Sequence, residues 1–278
     1  MKQPELRFSE RRVRAGEWKI NVAAAGEGAP LVFMHALGGS WRWWTPAMKA
    51  LTRNYRCYAF DFPGSGKSSR LTRVPSAPEF IGALDELFEK LDIGADGQLV
   101  GHSLGAYISL AYIMLGKTHF RRVMPVAPSG VSDLRTRRSL VWGLRALAAA
   151  PAPGWLFSGA ITGSYRRLLP VNRDIVAWLR SDFAKRSTRA SFAFQLAHSA
   201  DIAPLEAVIK GSKYVHNQDK VAVKLIWGMR DSIFSYRCGY KLTRLLPGAE
   251  LTLFENSRHW PHYDEPERFL RELESFLI

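Results

Sequence analysis

Gln98-Leu-Val-Gly-His-Ser-Leu-Gly-Ala-Tyr-Ile-Ser-Leu110 is the stretch whose reading decides the fold. Gln98–Gly101 is a short apolar run of the buried-strand type, and Leu104–Leu115 reads as the helix after it. Between them, Gly101-His-Ser-Leu-Gly105 has the G-x-S-x-G pattern. That pattern describes a sharp strand-to-helix turn that presents a serine hydroxyl above a sheet edge, with small flanking residues because the turn crowds the backbone. Ser103 is therefore the candidate nucleophile, and the competing role for it is a helix N-cap.

Working outward, Arg12–Gly16 and Trp18–Ala25 read as an opening strand pair, followed by strands at Leu31–Met34, Arg56–Phe62, Arg122–Ala127, Val221–Trp227 and Glu250–Phe254. Ala77–Leu91 has helical apolar spacing, and Glu265–Ile278 reads as a closing helix. Strands alternating with helices predict an α/β fold with a mostly parallel, doubly wound sheet covered on both faces. A helix-rich, arginine-rich stretch interrupts the pattern before the last two strands. It predicts a core formed by 1–130 and 220–278, with a helical cap, 131–219, over the carboxyl edge of the sheet, where open α/β sheets bind ligands.

Composition narrows the class. The 278 residues include 47% hydrophobic and 23% charged side chains, enough for a large core without disulfides. Two cysteines, Cys57 and Cys238, form no disulfide framework and suit a reducing, cytoplasmic setting. Residues 1–10 lack the apolar core of a secretory signal. The uncharged run Ala146–Tyr165 contains Pro151, Pro153, Gly154, Gly159 and Gly163, which argue for an apolar lid or interfacial segment rather than a transmembrane helix. The formal charge is +14, and residues 131–220 carry fourteen Lys/Arg against six Asp/Glu. The basic residues are scattered, which argues against specific nucleic-acid binding. The excess serves solubility, or it faces an acidic carrier protein or an anionic membrane surface, with the chain peripheral to that membrane.

A serine hydroxyl needs a base, and the base needs an orienting carboxylate. The chain order Ser, Asp, His is supplied by Asp231, at the end of the strand Val221–Trp227, and by His259 after the last strand. His262 is the rival base. Two backbone N–H groups must meet the oxyanion. Leu104 supplies one at a helix N-terminus, and Leu37, in His35-Ala-Leu-Gly-Gly39, is chosen for the other. His35, Gly38, Gly39 and His102 are the supporting loop residues. Asp61-Phe-Pro-Gly-Ser-Gly-Lys-Ser68 imitates the end of a phosphate-binding loop, but aspartate stands where that motif needs its first glycine, so a structural turn is expected. No metal-ligand spacing is visible, and no cofactor is expected.

These segments together resemble the α/β-hydrolase superfamily: Met34–Gly39, Asp61–Gly66, Gly101–Gly105, Trp227–Asp231 and Arg258-His259 align in its order. The resemblance implies that fold and a Ser103–Asp231–His259 triad. It departs in two places: Ala36 stands where the family usually has glycine, and Arg258 precedes the histidine where glycine is usual. The chemistry implied is hydrolysis of a small-molecule carboxylic ester through an acyl-enzyme, as in carboxylesterases and lipases. Two alternatives stay open, a carbon–carbon bond hydrolase with the same triad and a non-catalytic binding module. Trp142, Leu144, Trp155, Leu156, Phe157, Trp178, Phe183, Phe192 and Phe194 suggest an apolar acyl pocket in the cap.

Overall fold

The computed structural model describes residues 7–73, 75–117, 119–131, 158, 159, 163, 173–198, 205–212 and 221–278. Most of the expected cap, including Trp142, Leu144, Trp155–Phe157 and nearly all of Ala146–Tyr165, lies outside them.

Eight strands form one sheet: β1 (Ser9–Ala15), β2 (Trp18–Ala25), β3 (Ala29–Met34), β4 (Tyr55–Phe60), β5 (Gly97–His102), β6 (Phe120–Val126), β7 (Ala222–Gly228) and β8 (Glu250–Phe254). Their spatial order is β1-β2-β4-β3-β5-β6-β7-β8. The first two pairings, β1 with β2 and β2 with β4, are antiparallel, and every later one is parallel. This is the mostly parallel sheet expected from the alternating pattern.

Side chains alternate across each strand and so feed two cores. Val32 and Met34, Tyr58 and Phe60, Leu225 and Trp227 point to one face. There they meet α2 (Ala77–Lys90), α3 (Leu104–Met114), α6 (Leu205–Lys210) and α7 (Arg237–Leu245). Leu31 and Phe33, Cys57 and Ala59, with Val100 and Ile226, point to the other. That face is covered by a 3-10 turn at Trp41–Trp44, by α1 (Thr45–Leu51) and by the closing helix α9 (Pro266–Leu277). Cys57 is buried in β4, which pushes its thiol up to about 12. Burial of this kind stabilises by about 1.5–3 kcal/mol for each large apolar side chain, which is what holds the sheet rigid beneath the site.

A third, smaller cluster stands above the carboxyl edge. Ile175, Leu179 and Phe183 recur every four residues along α4 (Arg173–Ala184), making one apolar face. With Phe192 of α5 (Arg186–His198) they pack on Trp43 and Trp260, and Leu37, Trp178, Ile233 and Tyr263 border the cluster. The Phe183 and Phe192 rings meet edge to face at 5.2 Å.

Candidate active site

Ser103 ends the crossing from β5 to α3 with φ +54° and ψ −108°, a left-handed conformation that costs a non-glycine residue about 1–3 kcal/mol. The surroundings enforce it. The Ser103 N–H donates to the Val126 carbonyl (2.9 Å), and the Ser103 carbonyl accepts from Ser129 (3.2 Å). Glycine is needed on both sides: a Cβ on Gly101 would lie 2.4 Å from the Gly105 carbonyl, and one on Gly105 would lie 2.5 Å from that of Met34. An N-capping serine has an extended backbone and a hydroxyl that accepts from the first turn. Ser103 has neither, so the rival N-cap role falls away.

The segments that carry the expected oxyanion residues, Leu37 and Leu104, adjoin one another. Leu104 is the first residue of α3. The close approach of Gly105 to Met34 and His35 brings that helix start against the loop after β3. Ala36–Gly39 forms a tight turn closed by the Gly39 N–H on the Ala36 carbonyl (2.9 Å), with Gly38 at φ +68°. Gly38 also meets α5, since a Cβ there would lie 2.6 Å from the Phe192 ring. His35 accepts the Phe62 N–H at Nε2 (3.0 Å), so its proton sits on Nδ1, facing the Ala36 carbonyl. Complete burial lowers its pKa to about 4, keeping that acceptor free.

The Asp231 carboxylate is closed off from solvent. Its Oδ1 accepts the N–H groups of Ile233 (2.7 Å) and Phe234 (2.9 Å). Its Oδ2 lies 2.8 Å from Nδ1 of His259. A carboxylate only accepts, so Nδ1 carries the proton and Nε2 keeps its lone pair, the tautomer a general base requires. The base loop, so called because it carries His259, the candidate base, runs from β8 back over the end of β7. A Cβ on Gly228 would lie 1.9 Å from the Arg258 carbonyl and 2.4 Å from that of Ser257. The loop reaches the turn that carries Ser103, the candidate nucleophile, at His102, whose Nε2 is 2.9 Å from the His259 carbonyl oxygen, the two rings being 4.8 Å apart. Among the described residues, Ser103 and His259 make no direct hydrogen bond to each other.

His262, the rival base, sits on α8 (Pro261–Asp264). It lies flat against Trp44 (4.6 Å, 22°), and among the described residues neither ring nitrogen has a hydrogen-bond partner. Burial first, and the neighbouring His259 second, lower its pKa to about 3. It packs; it is not the imidazole that Asp231 holds. Arg258, which replaces the family's usual glycine, is fastened through its N–H to Asp264 Oδ2 (2.7 Å) and through Nη2 to Oδ1 (2.6 Å). The cation is thus neutralised beside the site.

Two carboxylates that brace the site escaped the sequence reading. Asp264 is one. The other is Asp61, which accepts N–H groups from Trp41 (2.9 Å) and Lys67 (2.9 Å) and the Asn21 amide (3.0 Å). It fills the interior of the Gly-Ser-Gly-Lys-Ser turn, where a Cβ on Gly66 would lie 2.2 Å from its Oδ2. Burial raises its pKa in spite of those bonds. In the sequence Asp61 showed as the first residue of an expected structural turn after a buried strand, with nothing to say which N–H groups its carboxylate would hold. Away from the site, Asp85, Glu89 and His119 bring one ligand atom each within 4.8 Å of one another. There, however, Lys117 and Tyr112 already hold Asp85.

Residues 29–266 match the alpha/beta hydrolase fold family, so the chain belongs to that family. It is 25% identical over 263 residues to an uncharacterized Mycobacterium tuberculosis protein, covering 91% of this chain and 76% of that one. It is 26% identical over 274 residues to the 2-hydroxy-6-oxo-2,4-heptadienoate hydrolase of Pseudomonas putida, covering 96% and 95%. Its fold is shared by a putative lipase of Acinetobacter baumannii, with a TM-score of 0.78 at 17% identity, over 97% of this chain and 91% of that one.

Proposed function

We propose that this hydrolase cleaves a carboxylic ester through an acyl-enzyme formed on Ser103. The observation that carries the reading is a serine in a left-handed strand-to-helix turn together with a buried aspartate–histidine pair on the adjoining loops. His259 Nε2 takes the hydroxyl proton as Ser103 Oγ attacks the carbonyl carbon. The Leu37 and Leu104 N–H groups meet the oxyanion, and Asp231 holds the imidazolium. The alcohol leaves with the proton from His259. Water then attacks the acyl group through the same base, freeing the acid and restoring the serine. The reading requires the Ser103–His259 bond to form in the substrate complex, where catalytic hydrogen bonds tighten.

Residues 131–219 are read as the cap, and its apolar cluster around Phe183 and Phe192 favours an apolar acyl group. Attachment to an anionic membrane or an acidic carrier protein through the cap's basic residues is part of the same reading. Among the described residues, no helix is long and apolar enough to cross a membrane.

Ser103→Ala should abolish hydrolysis of p-nitrophenyl butyrate and labelling by a fluorophosphonate probe. Undiminished turnover in that variant would overturn the assignment. One observation favours a second reading: the Pseudomonas putida relative, matched almost end to end, is named as a hydrolase of 2-hydroxy-6-oxo-2,4-heptadienoate. That supports carbon–carbon cleavage by the same residues, and a side-by-side assay of vinylogous diketones and esters separates the two. A pure binding module would leave the wild-type protein unlabelled.

A further inference from the structure

The sheet order poses a problem of reach. The nucleophile's turn follows β5, whereas the base loop hangs from β8, with β7 and β6 in between. By residue 258 the loop has come only as far as the end of β7, where it lies on Gly228. Two strand spacings, about 10 Å, separate β7 from β5. Asp264, the Ser257 hydroxyl on Glu265 (2.7 Å), the Arg230 N–H on the Ser257 carbonyl (2.9 Å) and Asp231 on the imidazole tie the loop to β7, β8 and the closing helices, and none of them reaches the turn that carries the hydroxyl.

We propose that His102 is a positioning residue. Its Nε2–H bond to the carbonyl oxygen of His259 pins the far side of the base loop to the nucleophile's own turn and so sets the separation between imidazole and hydroxyl. The inference deepens the serine-hydrolase reading and rests on it. A carbonyl oxygen only accepts, so Nε2 must carry hydrogen and the tautomer is determined. The ring is buried and packed against His259 (4.8 Å), Trp260 (5.9 Å) and His262 (4.8 Å), which leaves it one orientation. Burial first, with the neighbouring His262 and His259 second, holds its pKa well below the ordinary histidine value, which favours the neutral ring. The residue before the serine thus does for the backbone of His259 what Asp231 does for its side chain.

Three variants test this. His102→Phe keeps an aromatic ring and removes the donor, His102→Asn carries an amide too short to reach, and His102→Gln carries one that reaches. The readouts are the maximal rate of labelling by a fluorophosphonate and kcat and KM for p-nitrophenyl butyrate. An ångström of misplacement costs about 100-fold, so the Phe and Asn variants should lose about 10- to 100-fold in labelling rate and kcat with KM within about threefold. The Gln variant should recover to within about fivefold of wild type. A merely structural role would lower Tm without separating Gln from Asn. If the Phe variant fails to fold, the Asn–Gln pair decides. Wild-type labelling rates in the donor-less variants, or a Gln variant as slow as they are, would overturn the proposal. If instead the wild-type protein is not labelled and Ser103→Ala is fully active, it is the serine-hydrolase reading that fails.

Discussion

Gly228→Ala should damage catalysis far more than its single methyl group suggests. Gly228 has an ordinary backbone conformation, so the substitution adds no torsional strain; the conflict is one of space. The new Cβ would lie 1.9 Å from the Arg258 carbonyl, and real Cβ atoms essentially never come closer than 3.0 Å. The base loop must therefore retreat by about 1 Å, and the peptide it moves is the one that carries His259. A displacement of that size costs about 100-fold in rate. Overpacking costs about 1–3 kcal/mol, equivalent to a fall in Tm of about 2–10 °C for a chain of this size. The assay is kcat on p-nitrophenyl butyrate and the fluorophosphonate labelling rate, beside a thermal melt followed by circular dichroism. Gly82→Ala is the control: its Cβ meets nothing within 4 Å on α2, so that helix should gain about 0.5–1 kcal/mol with activity unchanged. A Gly228→Ala enzyme with kcat within threefold of wild type and the same Tm would refute the idea that the loop is seated on β7.

Two further outcomes follow from the buried groups. His35, His102 and His262 all have folded pKa values below the ordinary 6.5 of a histidine. Unfolding lets them take up protons, so their contribution is complete above about pH 6.5 and is lost as pH falls through each folded value, about 4 for His35 and about 3 for His262. For His35 alone, a folded value of about 4 makes this about 3 kcal/mol. His262→Phe, which replaces an imidazole lacking hydrogen-bond partners, should raise Tm near pH 5 and flatten its pH dependence; an unchanged slope in the melts would count against this. Arg258→Ala keeps the backbone bond to Asp264 and should stay within about threefold of wild-type kcat, whereas Asp264→Ala removes both bonds and should lose about 10-fold or more. Equal kinetics for the two variants would show that Asp264 does not brace the loop.

The inner strands were legible because each is a run of apolar residues bounded by turn formers, whereas β1, Ser-Glu-Arg-Arg-Val-Arg-Ala, is mostly charged; the chain order of serine, aspartate and histidine could be read directly. What escaped depends on contacts between distant segments. Trp41-Arg-Trp-Trp44, the 3-10 turn leading into α1, carries aromatic residues with no helical preference, and it turns because Trp41 and Trp44 pack on the sheet. In α7, Gly239 hides the helix, since glycine lowers helix propensity by about 1 kcal/mol. It is there because a Cβ would come within 2.8 Å of Leu251. Asp61 and Asp264 looked like ordinary loop acids, and only folding brings buried N–H groups to them. His102 could be placed in the supporting loop, but its bond to a carbonyl 157 residues away has no local signature.

β8 is a margin of the sheet, five residues long and bonded to β7 alone, and from it hangs one end of the segment carrying the imidazole of His259. Margins peel before middles. On warming, this strip should come away first, taking Phe254, Leu251 and Leu253 from the rims of the two cores while the rest of the sheet holds, and leaving Ser103 without the imidazole proposed to take its proton. Heat would then silence the enzyme before it melts it, and cooling would restore it as the strip zips back.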